Sequence, residues 1–262
     1  MNNSIEVQPQ TKKRANAQQN MVKIPTGSFR MGADDGGDFE QPVRTVFVDA
    51  FWVDATLVTN ADFSEFVSKT KHKTEAEKIG AAWSYKDGKF QHVASLTWRS
   101  FATADRQNHP VLLVSWHDAK AYADWAGKRL LTEAEYEKAA RGGLEGKLYP
   151  WGDDEATTER AQIMQTPTEI PPTSPVRQFA PNTYGLYDMC GNVWSWCADW
   201  FAEYDTTATM NPQGATIGTT KVRRGASWNI IQSFRLRNAN RGAFMPEHFA
   251  TNVGFRCAMD VV

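Results

Sequence analysis

Cysteine is scarce in this chain: Cys190, Cys197 and Cys257 are the only three among 262 residues. Three thiols without paired spacing build neither a disulfide framework nor a zinc site. They are read as small buried thiols, with one Cys197–Cys257 bridge as the alternative, because pairing depends on a Cα separation that sequence does not give. The five histidines, His72, His92, His109, His117 and His248, show no i, i+4 spacing for a metal. Neither a glycine-rich phosphate loop, a His-Glu-x-x-His motif nor a G-x-S-x-G elbow occurs. With a net charge of −1 the chain does not read as a nucleic-acid or anionic-membrane binder. No apolar run approaches the ~18 residues of a membrane span, and Met1 to Asn20 holds no apolar signal core. The reading is a soluble, cytoplasmic protein as the sequence stands, with a periplasmic address left open by a removed signal peptide.

What the chain does hold is aromatic surface, including ten Trp, and 41% hydrophobic residues, enough for a substantial core. A polar leader, 1–20, reads as a disordered tail, and residues 21–262 as one domain. Two short strands flank Pro25, and Val43 to Val53 alternates as a strand. Thr59 with Asp62 caps a helix carrying Phe63, Phe66 and Val67 on one face. Residues 70–108 read as an irregular surface excursion. His109-Pro-Val-Leu-Leu-Val114 reads as a buried strand leading to an N-cap at Ser115, and Gly127 closes the helix that follows. Thr132-Glu-Ala-Glu135 is a capping box for a second helix ending at Arg141-Gly-Gly143. Beyond it, prolines from Pro167 to Pro181 force extended or turning chain. The expected class is therefore α+β, a single irregular domain with few short helices and many short strands.

Near the C-terminus, Val222-Arg-Arg-Gly-Ala-Ser-Trp-Asn229 and Asn252-Val-Gly-Phe-Arg-Cys257 enclose a basic segment broken by Gly242 and Pro246. The alternation of Phe234 with Leu236, and of Val253 with Phe255, predicts short strands joined by a long polar turn, where rigid scaffolds often present a site. Asp188, the glycine turn after it and Ser195 supply hard oxygen ligands suited to a cation. The acidic loop Asp34 to Asp38 lacks EF-hand spacing and reads as solvated.

Taken in order, several motifs resemble the formylglycine-generating enzyme family, the sulfatase-modifying-factor domain. They include Ile24-Pro-Thr-Gly-Ser-Phe-Arg-Met-Gly32, Trp125-Ala-Gly-Lys-Arg-Leu-Leu-Thr-Glu-Ala-Glu135 and Tyr149-Pro-Trp-Gly152. Pro181-Asn-Thr-Tyr-Gly-Leu-Tyr187, Gly191-Asn-Val-Trp194, Arg224-Gly-Ala-Ser-Trp228 and Gly254-Phe-Arg256 continue the pattern. Thr74 to Lys78 and Trp98-Arg99 resemble the true enzymes as well. The resemblance implies a variant of the C-type lectin fold. It also implies an activity, oxidation of a cysteine in a sulfatase peptide to formylglycine with O₂ and one copper ion held by two thiolates, soft ligands suited to Cu(I). Here the first of those cysteines is replaced by Ile230 and the second falls at or near Arg235, so copper bound through cysteine is not expected. A structural calcium site would correspond to Asp188, Gly191, Val193 and Ser195, weakened because Ser195 replaces a family glutamate. A second calcium site, which would begin at Gln162-Ile163, is expected to be lost.

Two functions follow from the resemblance. One is an oxidative maturation enzyme of the siderophore-maturation type, acting on a peptide or peptide-derived small molecule. Iron-dependent sulfoxide synthases of the family carry an added helical domain; with no such domain and no His cluster read from the sequence, that activity is not expected. The other is a binding module of the diversified-receptor type, with Phe234, Phe244, Met245, His248 and Phe249 on its face. The candidate substrate-binding residues are Trp98, Arg99, Trp194, Ser227, Trp228, Asn229, Arg235 and His248. No catalytic residue is assigned.

Overall fold

The computed structural model describes residues 18–261. Strands β1 (Met21–Ile24) and β2 (Gly27–Met31) come first, then β3 (Arg44–Val48) and β4 (Phe51–Asp54). Helices α1 (Asn60–Thr70) and α2 (Glu75–Ile79) follow, with the hairpin β5 (Ala81–Lys86) and β6 (Lys89–Ala94). Helix α3 (Trp116–Trp125), strand β7 (Arg129–Leu130) and helix α4 (Glu133–Arg141) make up the middle. The last part carries β8 (Trp194–Trp200), β9 (Lys221–Arg224), β10 (Arg241–Phe244), β11 (Val253–Gly254) and β12 (Cys257–Asp260). This is the expected mixture of few helices and many short strands.

Two four-stranded sheets carry the architecture, in the orders β1-β4-β12-β7 and β10-β9-β8-β11. The first holds both ends of the described chain, since β12 pairs antiparallel with β4 and β7. The second positions the site. Within it, Arg224 faces Ser195 and Arg241 across the ladders, Arg223 faces Trp196 and Gly242, and β11 runs parallel to β8 with Val253 opposite Trp194. Successive residues of a strand point to opposite faces, so Arg223 and Arg224 address different surroundings.

Local chemistry explains the helices. All four have complete capping boxes, Thr59 with Asp62, Thr74 with Glu77, Ser115 with Asp118 and Thr132 with Glu135. Such a cap contributes about 1 kcal/mol. Gly142 then ends α4 in the left-handed conformation that favours glycine.

Four expectations need correction. Val43 to Val53 is two strands, because the chain changes sheets at Asp49-Ala50: β3 pairs with β2 while β4 pairs with β1 and β12. His109 to Val114 is not a strand, although Pro110 to Val114 are buried. Leu113 has φ 58°, and the backbone bonds go singly to Val58 and Ala250 rather than into a ladder. Residues 70–108 contain α2 and the β5–β6 hairpin instead of irregular chain. Phe234 and Leu236 lie in a 3-10 turn, Ser233–Leu236, with Leu236 buried and Phe234 exposed. The tail expected over residues 1–20 falls mostly outside the described residues, although residues 18–20 form a turn in which the Asn20 carbonyl accepts from the Ala55 amide.

Three apolar clusters fill the interior. One gathers Phe63, Trp98, Tyr122, Trp194, Trp196 and Phe255, a second Ile24, Phe51, Tyr136 and Val222, and a third Leu57, Phe101, Leu112 and Trp228. All three cysteines are buried and free, and Cys197 and Cys257 sit in different clusters, so the bridge reading fails. Among the described residues, no helix is long and apolar enough to cross a membrane.

Candidate functional site

The stretch following β9 is fixed by close approach rather than by regular structure. Gly225 has φ +90°, and a Cβ there would lie 2.2 Å from the Tyr136 hydroxyl and 3.0 Å from the Met189 carbonyl. Its own carbonyl accepts from the Gly191 amide at 2.7 Å, and the Trp228 amide donates to the Asn192 carbonyl at 3.0 Å. The Trp228 and Ile230 carbonyls accept from Gln165 and Met164. Residues 225–230 are therefore clamped between two other loops, which gives Ser227 a fixed place.

At the centre is a node of three side chains. The Ser227 hydroxyl donates to Asn229 Oδ1 at 2.8 Å. Asn252 Nδ2 donates to the same oxygen at 3.2 Å and to Ser227 Oγ at 3.4 Å. Asn252 also accepts the Trp194 amide on its backbone carbonyl at 2.9 Å. Trp228 lies buried beneath, its indole N–H on the Thr251 carbonyl at 3.0 Å. Beside the node rises a stack of planar groups. The Arg223 guanidinium lies 4.6 Å from the Trp194 ring centre and 3.9 Å from that of Phe244, and Phe244 stacks on His248 at 3.9 Å.

Chemically, the node is poorly equipped for nucleophilic attack, and Ser227 itself is fully buried. Ser227 is bonded to amides, which cannot act as the base that activates a hydroxyl. Burial, and then Arg223, pushes the His248 ring down to about 4, so it is neutral near pH 7. Amide donors and acceptors beside buried indoles suit a peptide backbone and its side chains.

Of the candidate residues, Trp194, Ser227, Trp228, Asn229 and His248 gather here. Arg235 is exposed on the 3-10 turn, with its guanidinium 5.8 Å from the Phe234 ring centre. Trp98 is buried against Phe63, and Arg99 turns to Glu77 at 2.8 Å, so neither touches the node. Sequence reasoning missed Asn252 and Arg223. Asn252 stood in a quoted motif beside Gly254, but nothing in its spacing placed it against Ser227. A cavity of about 610 Å³ opens elsewhere, between Phe51, Trp116, Lys120, Arg129 and Lys221.

The residues present do not fit a copper ion. Ile230 is buried in the apolar cluster with Ala226 and Leu236 and has no electron pair to offer a metal. Cys190, in that same cluster, donates its thiol to the Leu236 carbonyl at 3.1 Å, and burial pushes it up to about 12. It is a protonated core thiol, whereas metal binding and redox exchange need the thiolate.

For calcium the fit is partial. The Asp188 carboxyl is raised by burial, against the opposing pull of Arg256, and has only long bonds, 3.4 Å from the Arg177 amide and 3.4 Å from Asn192 Nδ2. A part-buried carboxylate held so loosely suits a cation, although Arg256 already acts on it. Ser195 is fully buried beside Tyr136. At the second position, the Gln162 side chain donates to the Pro172 carbonyl.

The clamped loop, the serine–asparagine node and the irregular two-sheet scaffold define a recognisable protein class. The family model for the sulfatase-modifying factor enzyme 1-like domain matches residues 6–261, and the chain belongs to that family. It is 41% identical to the formylglycine-generating enzyme of Mus musculus, covering 92% of this chain and 75% of that protein. It is 38% identical to the inactive C-alpha-formylglycine-generating enzyme 2 of Bos taurus, covering 91% of this chain and 87% of that one. Among solved structures, PvdO from Pseudomonas aeruginosa superposes with a TM-score of 0.75 at 28% identity, over 92% of this chain and 94% of the other.

Proposed function

We propose that the chain binds a peptide or peptide-derived natural product at the Ser227–Asn229–Asn252 node. It serves in the oxidative maturation of that ligand by a route that does not run through a copper–thiolate centre, a role of the siderophore-maturation type. The observation that carries this reading is the coexistence of an intact node with Ile230 buried where the first copper thiolate would stand. Trp194 and Trp228 wall the node, and the two asparagine amides orient a bound backbone. The side chains described hold and position; O₂, taken up as a co-substrate, would accept the electrons removed from the ligand. A calcium ion at Asp188, with the carbonyls of Gly191 and Val193 and the hydroxyl of Ser195, would brace the loop that clamps residues 225–230.

The binding-module reading is favoured by two observations: Ser227 has amides as its side-chain partners, and burial with Arg223 keeps His248 neutral. Two experiments separate the readings. Purified protein, supplemented in turn with redox metals, is incubated aerobically with candidate peptides and siderophore precursors. Oxygen uptake matched by an oxidised product in mass spectrometry supports maturation. Sequence scatter among close homologues confined to residues 229–252, with no uptake, supports the binding module and sinks the enzyme reading.

A further inference from the structure

Arg223 differs from most enclosed arginines of this protein; among the described residues Arg44, stacked on Tyr204, also lacks an ion pair, but Glu133 and Glu137 act on it. Arg224 pairs with Glu137, Arg241 with Glu133, Arg141 with Glu137, and Arg237 with Glu40 and Asp35. Arg256 donates to the carbonyls of Asp54, Tyr187 and Asp188. Among the described residues, the Arg223 side chain has neither a hydrogen bond nor an ion pair; its Nε, like those of Arg224, Arg237 and Arg256, is buried without an acceptor. It is placed with care all the same. Its partner across the ladder is Gly242, where a Cβ would sit 2.9 Å from Arg223 Nε and 3.1 Å from its Cγ. The bare backbone lets the side chain lie flat over β10, between Trp194 and Phe244.

The charges around it are of one sign. Arg235 lies close enough to act on it, and Lys221, on the same side of β9, is already taken by the Ala198 carbonyl and the Trp116 and Trp200 rings. Burial, and then Arg235, pulls Arg223 down to about 9, which still leaves it charged near pH 7. A desolvated cation without a counter-charge is costly. Two aromatic contacts recover part of that cost, but they leave the in-plane N–H donors unused, and a guanidinium matches a carboxylate through those donors. The strand that carries the stack is joined to the node by the Trp194 amide, which donates to the Asn252 carbonyl.

We infer that Arg223, fixed between Trp194 and Phe244 over Gly242 and assisted by Arg235, is a carboxylate subsite that makes the ligand of the Ser227 node an acidic peptide. This rests on the peptide reading proposed above and names its substrate class. The probes are three capped tripeptides, Gly-Asp-Gly, Gly-Asn-Gly and Gly-Lys-Gly, titrated by calorimetry and tryptophan fluorescence into the full chain at low ionic strength. The Asp peptide is expected to bind about tenfold more tightly than the Asn peptide, with the Lys peptide weakest. Arg223→Gln removes that preference. Arg235→Gln, at an exposed position that does not endanger folding, narrows it several-fold. Gly242→Ala weakens it without removing a charge, a change that a mere screening role for the arginines would not produce. Equal binding of the Asp and Asn peptides, no binding of any of them, or an unchanged preference in Arg223→Gln overturns the subsite. Product formation in the maturation assay alongside such a failure would retain the function and discard only the acidic substrate.

Discussion

Arg223 and Arg224 are neighbours on one strand and are treated in opposite ways. Arg224 is wholly buried beneath the sheet; its guanidinium bonds Glu137 and the carbonyls of Asn238, Ala239 and Asn240, with Glu133 at 3.7 Å. Burial alone would lower its pKa, but Glu137, Tyr204 and Glu133 prevail and raise it. Arg223, one residue earlier, meets only rings and other cations. The first face is a closed electrostatic knot that ties α4 to the sheet; the second is an open position with its donors unspent. A sheet that alternates its side chains can thus keep scaffold and site one residue apart.

Removing Arg224 gives the largest expected effect. Arg224→Met leaves Arg141 as the one arginine on buried Glu137, strips the carbonyls of Asn238, Ala239 and Asn240 of their donor, and should cost about 3–5 kcal/mol in urea unfolding. A cost no greater than that of changing Arg223 would break the contrast between the two faces.

Asp199 tests the closed face by pH. Its carboxyl, raised to about 7 by burial and then by Glu133, accepts the Glu133 amide. Between about pH 4 and 7 the folded protein keeps a proton that the unfolded chain has released, so stability from this group falls as pH rises through that window. Asp199→Asn keeps an acceptor and removes the titration. Its unfolding free energy relative to the parent should therefore improve by roughly 3 kcal/mol from pH 4.5 to pH 8. A flat difference would place the carboxylate in contact with water.

On the open face, Arg223→Gln should shift stability by less than about 1 kcal/mol, the scale of a partly exposed cation–π contact, as read from thermal melts. Ser227→Ala should cost about 1 kcal/mol by losing its bond to Asn229. The smallest effect sharpens the boundary between the faces. Millimolar Ca²⁺ should raise the melting temperature by a few degrees at most, and Asp188→Asn should abolish the rise. A Ca²⁺ effect that survives Asp188→Asn would move the ion elsewhere.

What could be read from sequence was the chemistry that acts between near neighbours. The caps of α1, α3 and α4 were legible because donor and acceptor lie three residues apart. The β5–β6 hairpin was missed although Trp83 and Tyr85 alternate with polar residues before Asp87-Gly88; its aromatic side chains Trp83 and Phe90 are exposed while Ser84 is buried, so the pattern points to no core. Val111 to Val114 read correctly as interior, yet apolar character does not reveal whether backbone bonds form a ladder. At the site, Ser227, Trp228 and Asn229 came from family resemblance. Asn252 joins them across more than twenty residues, and the unpaired state of Arg223 is a property of what surrounds it in space.

The bonds of Ser227 and Asn229 to Asn252, with Trp228 on the Thr251 carbonyl, tie together the two ends of the intervening segment. That segment is a noose drawn shut at its neck. With its ends anchored, changes in its length cost little closure entropy, and changes in its sequence need not disturb the scaffold beneath. A family built this way can exchange one recognition surface, or one chemistry, for another while inheriting the same frame.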